Sequence, residues 1–165
     1  MTKDSMNSSY REKLIEHLFI GELLKFSWQE NEVLIEVSKP EVDNSGYDII
    51  IEYSGILRHI QLKASFVGSK TASQSLHLKL SEKPSGCVIW IYFDKETLEL
   101  GPFYFFGDKA GKPLPNIEKE PVARHSKANS DGYKAERPNI RKLNKGKFER
   151  INSVDQLFKK LFITD

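Results

Sequence analysis

Three side chains that can bind a metal or move a proton lie close together in the sequence, namely Asp48, Gln61 and Lys63. The apolar residues around them predict two β-strands joined by a tight turn at Ser54-Gly55. Strand alternation then places Gln61 and Lys63 on one face of the second strand, with Asp48 at the head of the first. Carboxylate and amide oxygens suit a hard divalent cation. A lysine beside them can orient a water molecule or help to deprotonate it.

Helical and strand signals surround this hairpin. Ser9 and Glu12 have the spacing of a capping box. Apolar residues at helical spacing then predict a helix from about Ser9 to Phe26, interrupted or softened near Gly21. A first strand is predicted at 33–37, and the site strands at 47–53 and 57–64. Ser153 is expected to cap a C-terminal helix whose apolar face holds Val154, Leu157, Phe158 and Leu161.

Between the site strands and the C-terminal helix, the pattern is more varied. The polar stretch 65–75 predicts a loop or a weak helix, and 77–80 predicts a short strand or part of that loop. The apolar run 87–93 is typical of a buried central strand, 103–106 of another strand, and 107–116 of a loop. We therefore expect a single α/β domain over residues 1–165, with a mixed sheet of about five strands flanked by an N-terminal and a C-terminal helix.

Size and composition narrow the class of protein. With 165 residues, of which 29% are charged and 39% hydrophobic, the chain is typical of one soluble globular domain. It has no apolar run long enough for a membrane span and no hydrophobic leader at its N-terminus, so we expect a cytoplasmic protein that does not bind membranes. Cys87 is the single cysteine, which excludes an internal disulfide. We interpret it as a core residue rather than a nucleophile.

The net charge of +2 hides an acidic first third and a basic segment at about 112–150. This basic segment has few apolar residues, and we expect part of it to become ordered only on a nucleic acid. Its charge alone is equally compatible with an ordinary solvated surface. The candidate phosphate contacts, with Tyr133 nearby, are Lys134, Arg137, Arg141, Lys142, Lys145 and Lys147.

The order helix, strand, Asp48 strand, hairpin and Gln61-Leu62-Lys63 strand resembles the PD-(D/E)xK nuclease superfamily, which includes restriction endonucleases and archaeal Holliday-junction resolvases. The resemblance covers 16–65. It implies a restriction-endonuclease-like core and hydrolysis of phosphodiester bonds, with DNA as the expected substrate. It also implies an Mg²⁺ or Mn²⁺ cofactor and a possible homodimer. Tyr47 stands where the motif has proline, and Gln61 stands where it usually has an acid.

The resemblance also assigns roles to individual residues. Asp48 and Gln61 would be metal ligands, together with the backbone carbonyl of Leu62, and Lys63 would act on the water. A glutamate of the first helix would be the third side-chain ligand. Glu16 is the best placed, and Glu12 and Glu22 are alternatives.

Other interpretations of the same residues stay open. Asp48 can be a turn acceptor, while Gln61, Lys63 and His59 can be the solvent face of an amphipathic strand. On that basis the chain would be a catalytically inactive nucleic-acid-binding module, or a partner-binding protein of a defence system. The histidines lack partners at zinc-ligand spacing, and neither a Gly-x-Ser-x-Gly elbow nor a phosphate-binding P-loop is present.

Overall fold

A computed structural model describes residues 7–30 and 33–163, which form an α/β structure. The helices are α1 (Ser8–Glu30) and α2 (Val154–Phe162), and the short 3₁₀ helices are Leu78–Glu82 and Lys145–Lys147. The strands are β1 (Glu36–Ser38), β2 (Ile49–Tyr53), β3 (Ile56–Phe66), β4 (Ser73–His77), β5 (Gly86–Phe93), β6 (Leu100–Gly107), β7 (Val122–Arg124), β8 (Glu136–Asn144) and β9 (Glu149–Ile151).

The strands form two sheets. The main sheet has six strands in the order β1-β2-β3-β5-β6-β9, and the second sheet has three in the order β4-β8-β7. The prediction of an α/β fold with a mixed sheet and with an N-terminal and a C-terminal helix is thus confirmed. The main sheet has six strands where about five were expected. The second sheet was not predicted, because the polar sequences of β4 and β8 lack the apolar alternation of a strand that covers a core.

The predicted hairpin is present with the predicted turn. β2 and β3 are antiparallel in a register that runs from Ile49 opposite Ile60 to Tyr53 opposite Ile56. The two turn residues both have positive φ, 51° at Ser54 and 80° at Gly55. This is the backbone of a type I′ turn, whose twist matches that of the flanking strands.

β3 is much longer than the strand it pairs with on its outer side. It has 11 residues, whereas β2 has 5. On its inner side β3 runs parallel to β5, from His59 opposite Gly86 to Phe66 opposite Phe93. The outer ladder closes where the amide of Asp48 donates to the carbonyl of Ile60 at 2.9 Å. Beyond that point, β3 has no β2 residue beside it, which leaves room for a cavity.

The two faces of the main sheet are covered by different layers. One face packs against α1 and α2 in a core that includes Phe19, Leu23, Ile51 and Phe158. The other face, which includes Trp90, packs against the second sheet and the loops beside it. α1 covers one face of the main sheet at β3, and β4 of the second sheet covers the opposite face. Residues from both the helices and the second sheet can therefore reach the end of β3.

Some predicted helix details were wrong. The first helix starts at Ser8, so Ser9 lies inside it and is not its cap, and the helix is continuous through Gly21 to Glu30. A Cβ at Gly21 would meet no side chain of the described residues within 4 Å, and the glycine costs helix propensity without breaking the helix. The cap of α2 was predicted correctly, because the Ser153 hydroxyl accepts a hydrogen bond from the amide of Gln156.

The strand boundaries also differ from the predicted ones. The first strand is shorter and later, at Glu36–Ser38. The stretch predicted as a loop or weak helix holds the end of β3 and the start of β4, and the residues after His77 form a 3₁₀ helix. Within the described residues, no helix has the length and apolar character needed to cross a bilayer.

Candidate active site

A cavity of about 450 Å³ lies where β2 stops beside β3. Its walls come from the first turns of α1, the segment that leads into β2, the middle of β3, and β4. The structure brings all five predicted site residues to this cavity: Glu16, Asp48, Gln61, Leu62 and Lys63. We call it the hairpin cavity.

Asp48 is fixed by two hydrogen bonds to one of its oxygens. Its Oδ2 accepts from the Gln61 side-chain amide and from the Leu62 backbone amide, both at 2.7 Å. Burial raises the pKa of Asp48, although the Leu62 hydrogen bond opposes the rise, and the nearby charge of Asp43 adds to it. No described residue donates to Oδ1. The carboxylate is therefore oriented through one oxygen and has the other available for a cation.

Gln61 lies against Asp48 through its nitrogen rather than its oxygen. Nε2 donates to Asp48 Oδ2 and also lies 3.3 Å from the carbonyl oxygen of Leu62. To serve as an oxygen ligand, the amide has to turn so that its oxygen and nitrogen exchange places. In the arrangement seen, Gln61 donates hydrogen bonds to Asp48 and to the Leu62 carbonyl, and so holds these two candidate oxygen ligands close together.

Glu16 is buried in α1 and is held by two lysines. Its side chain is 8% exposed, and Oε2 accepts from Lys13 at 3.2 Å while Oε1 contacts the ammonium of Lys39. Burial raises the pKa of Glu16, but the hydrogen bonds and charges of Lys39 and Lys13 outweigh it and hold the pKa below its usual value. Glu16 is thus a carboxylate that keeps its charge inside the fold.

The other two helix glutamates have different positions. Glu12 lines the hairpin cavity but is exposed. Glu22 lies 3.8 Å from Lys25 and borders a separate cavity near Leu98. The structure therefore places Glu16 and Glu12 at the hairpin cavity and does not bring Glu22 to it.

Lys63 is half-buried at the hairpin cavity, and its ammonium has no hydrogen-bond or ion-pair partner among the described residues. Burial lowers its pKa, against the opposing charges of Asp48, Glu12 and Asp43. Arg137 lowers it further. A lysine whose ammonium is destabilised in this way gives up its proton more readily than a lysine in solvent.

His59 is outside the cavity. Its Nδ1 is 2.7 Å from the carbonyl oxygen of Pro84, and its ring meets Tyr47 edge-on with 4.8 Å between centroids. These contacts tie β3 to the segment before β5. They account for His59 as a structural residue.

The donor chemistry of the hairpin cavity fits a hard divalent cation. Two carboxylates, an amide and a backbone carbonyl are oxygen donors of the kind that Mg²⁺ takes, with water for the remaining positions. Within residues 7–30 and 33–163, no group of three or more histidine, cysteine, aspartate or glutamate side chains could hold a metal ion. A metal here would therefore depend on Gln61 and the Leu62 carbonyl as well as on Asp48 and Glu16.

The six basic candidates for nucleic-acid contacts fall into two groups. Arg141, Lys145 and Lys147 are engaged within the protein. Arg141 donates to the backbone carbonyls of Glu118, Pro138 and Ile140, and Lys147 lies 2.8 Å from Glu120. The side chains that are exposed, with no hydrogen bond or ion pair to another described residue, are Lys134, Arg137 and Lys142.

Lys145 is the most constrained of the engaged group. Its ammonium lies 4.4 Å from the ring centroids of both Tyr92 and Tyr104, and it donates to the Tyr92 hydroxyl at 2.8 Å. That hydrogen bond is the largest cause of a raised pKa at Lys145. This lysine joins the second sheet to the main sheet.

Sequence reasoning missed several residues of the site. Lys39 and Lys13 contact Glu16, and Gln74 on β4 reaches the cavity from the second sheet. Gln74 lies in the stretch predicted as a loop or a weak helix, and the contact between Lys39 and Glu16 spans 23 positions along the chain. Lys13 lies three positions from Glu16 in a predicted helix, so its ion pair with Glu16 could have been predicted from that spacing.

No family model matches the chain, and no curated protein does. Among solved structures, it is similar to that of a bacterial homing endonuclease at 22% sequence identity, covering 74% of this chain and 82% of the other, with a TM-score of 0.35. A likeness of this size is too weak to assign a family or an activity.

Proposed function

We propose that this chain is a metal-dependent nuclease that hydrolyses phosphodiester bonds in DNA, with Mg²⁺ or Mn²⁺ as its cofactor. The observation that carries the proposal is the shared lining of the hairpin cavity. Two carboxylates, Glu16 and Asp48, reach it beside a half-buried lysine, Lys63, whose ammonium has no partner among residues 7–30 and 33–163. Glu16 comes from α1, Asp48 from the position directly before β2 and Lys63 from β3, which is close to the arrangement expected for the PD-(D/E)xK motif.

Each residue has a defined part in that activity. Asp48, Glu16, Gln61 and the Leu62 carbonyl would hold the metal, which supplies Lewis-acid stabilisation of the charge that develops on a phosphate oxygen. Lys63 lies beside them and can orient the attacking water and exchange a proton with it. In the reaction, water adds to phosphorus, the phosphorus–oxygen bond breaks, and the leaving oxygen takes a proton.

The exposed basic residues in β8 and just before it support a nucleic-acid partner. Arg137 influences the pKa of Lys63, so its positive charge acts on the hairpin cavity. Lys134 and Lys142 are free to contact phosphates, which confer affinity and salt dependence but no sequence preference. The three engaged basic side chains would contribute less.

The test is cleavage of duplex and branched DNA with Mg²⁺ or Mn²⁺, using Lys63→Met and Lys25→Met proteins. Lys25 is an exposed lysine outside the hairpin cavity, so its replacement controls for the loss of one positive charge. We expect cleavage by the wild-type and Lys25→Met proteins, and a loss of at least about 100-fold in Lys63→Met, the usual scale for removing a proton-transfer group. Full activity of Lys63→Met would refute the assigned role.

A second candidate function is binding of DNA without cleavage. Two observations favour it, the contacts of both Glu16 oxygens with lysines and the Gln61 amide that points its nitrogen at Asp48. A protein of this kind would bind DNA in a salt-sensitive way and would cleave none of these substrates with either metal. The same assay, run with a binding measurement, separates the two functions.

A further inference from the structure

We propose that Lys39 is an internal counter-ion of Glu16 that must be displaced before Glu16 can bind a metal. The inference rests on the proposed metal site and concerns how that site is filled. In this arrangement the ammonium of Lys39 contacts the Glu16 oxygen that a metal ion would bind.

The contacts of Glu16 are the first argument. Both of its oxygens are engaged by ammonium groups, Oε1 by Lys39 and Oε2 by Lys13. A metal ion that used either oxygen would have to compete with one of them. By contrast, Asp48 is held by amide donors and has an oxygen without a described donor. The two carboxylates of one cavity are thus stabilised by different means, and of the two it is Glu16 that contacts ammonium groups directly.

The positions of the two lysines differ. Lys13 is on the same helix as Glu16, three positions away, and its side chain is 69% exposed. An exposed lysine three positions from a glutamate commonly forms an ion pair in a helix, and such a pair contributes little to stability. Lys39 comes from a different part of the chain, directly after β1, and its side chain is 40% exposed. It therefore brings a charge to Glu16 that the helix itself does not provide.

Displacement of Lys39 needs little rearrangement of the backbone. Its long side chain can rotate into solvent while the segment that leads to Asp48 stays in place. That segment is fixed further along by Gly46, which has a φ of 80° and packs against the backbone of Leu80. Free protein would hold Glu16 with Lys39, and metal-loaded protein would hold it with the metal.

The test measures Mn²⁺ binding directly, by titration calorimetry and by the electron paramagnetic resonance signal of free Mn²⁺. Replacing Lys39 with methionine keeps the length of the side chain and removes its charge. We expect Lys39→Met to bind Mn²⁺ about fivefold more tightly than wild type, which corresponds to about 1 kcal/mol, the upper end for a partly exposed ion pair. Lys39→Arg, which keeps the charge, should bind as wild type does.

Two controls separate this mechanism from a general effect of charge. Lys25→Met loses the same charge from α1 away from the hairpin cavity, and its Mn²⁺ affinity should stay near that of wild type. In a Glu16→Gln background, Lys39→Met should no longer increase the affinity, because the competition acts through Glu16. Circular dichroism checks folding, and Lys39→Gln serves as a second neutral variant.

The outcomes distinguish this inference from the proposed function. If Lys39→Met and Lys39→Gln bind Mn²⁺ no more tightly than Lys25→Met, the counter-ion role is wrong while the metal site stands. If neither wild type nor the Lys39 variants bind Mn²⁺ at millimolar concentration, the metal site itself is wrong, and the inference is overturned with it.

Discussion

Replacing Asp48 with asparagine should stabilise the protein at neutral pH and should abolish the binding of a metal ion to the hairpin cavity. The substitution keeps the shape of the side chain, and its amide oxygen can still accept from Gln61 and Leu62 as Oδ2 does. Because burial raises the pKa of Asp48, the fold disfavours its ionised form, and asparagine resembles the protonated one. Single stabilising substitutions commonly gain about 0.5–2 kcal/mol.

Asp48 is only partly buried, so we expect a gain of about 1 kcal/mol, or roughly 2–4 °C in the unfolding temperature for a chain of this size. The pH dependence of this gain follows from the difference between the folded and unfolded pKa values of Asp48. A raised folded pKa means that the cost of the charge is present above that pKa and vanishes below the unfolded value of 3.8. The advantage of Asp48→Asn should therefore shrink as the pH falls toward 3.8.

The assay is urea unfolding of both proteins without metal at several values between pH 7 and pH 4, with Mn²⁺ titrations at pH 7. Equal or lower stability of Asp48→Asn at pH 7 would refute the reasoning, and so would a gain that is the same at every pH. Unchanged Mn²⁺ affinity would show that Asp48 is not a ligand.

Three further predictions concern other residues. Lys63→Met should also be more stable than wild type at pH 7, because burial disfavours the charged ammonium of Lys63. The pKa of Lys63 is lower in the folded protein than in the unfolded one, so the stability of wild type increases as the pH rises toward 10.5, and the difference measured by urea unfolding should narrow. A difference that widens would contradict this. Cys87 is fully buried with a pKa raised to about 11, so a thiol reagent at pH 8 should modify it only after unfolding, and rapid labelling of folded protein would contradict its burial. Gly86→Ala should lower the free energy of unfolding by about 1–3 kcal/mol, because the new Cβ would lie 2.7 Å from the carbonyl oxygen of Leu80, and an unchanged urea midpoint would show that this contact yields easily.

The hairpin and the positions of its candidate site residues were predictable because their signals are local. Alternation along β2 and β3 and the Ser54-Gly55 turn fix the register within a short stretch of chain. That register fixes the relation of Asp48 to Gln61. Glu16 was predictable from the helical pattern together with the resemblance, since the buried residues of α1 include Ile15, Phe19 and Leu23 on either side of it.

The surroundings of the site were not predictable, because they depend on contacts between distant parts of the chain. Nothing next to Lys39 indicates that its ammonium meets Glu16. Arg58 is fully buried and donates two hydrogen bonds of 3.0 Å to the carbonyl oxygen of Asp108, although its sequence position fits an exposed strand residue equally well. The second sheet also escaped prediction, since β8 is polar and mostly exposed.

The edges of the main sheet limit how two copies of this chain could associate. Its outer strands, β1 and β9, each have three residues, Glu36–Ser38 and Glu149–Ile151. Such short edges present few free backbone groups for a strand of another molecule to join. We therefore expect a homodimer of the proposed nuclease to form through surfaces other than β1 and β9. The spacing between its two hairpin cavities would then be set by those surfaces and not by the fixed repeat of a continuous sheet.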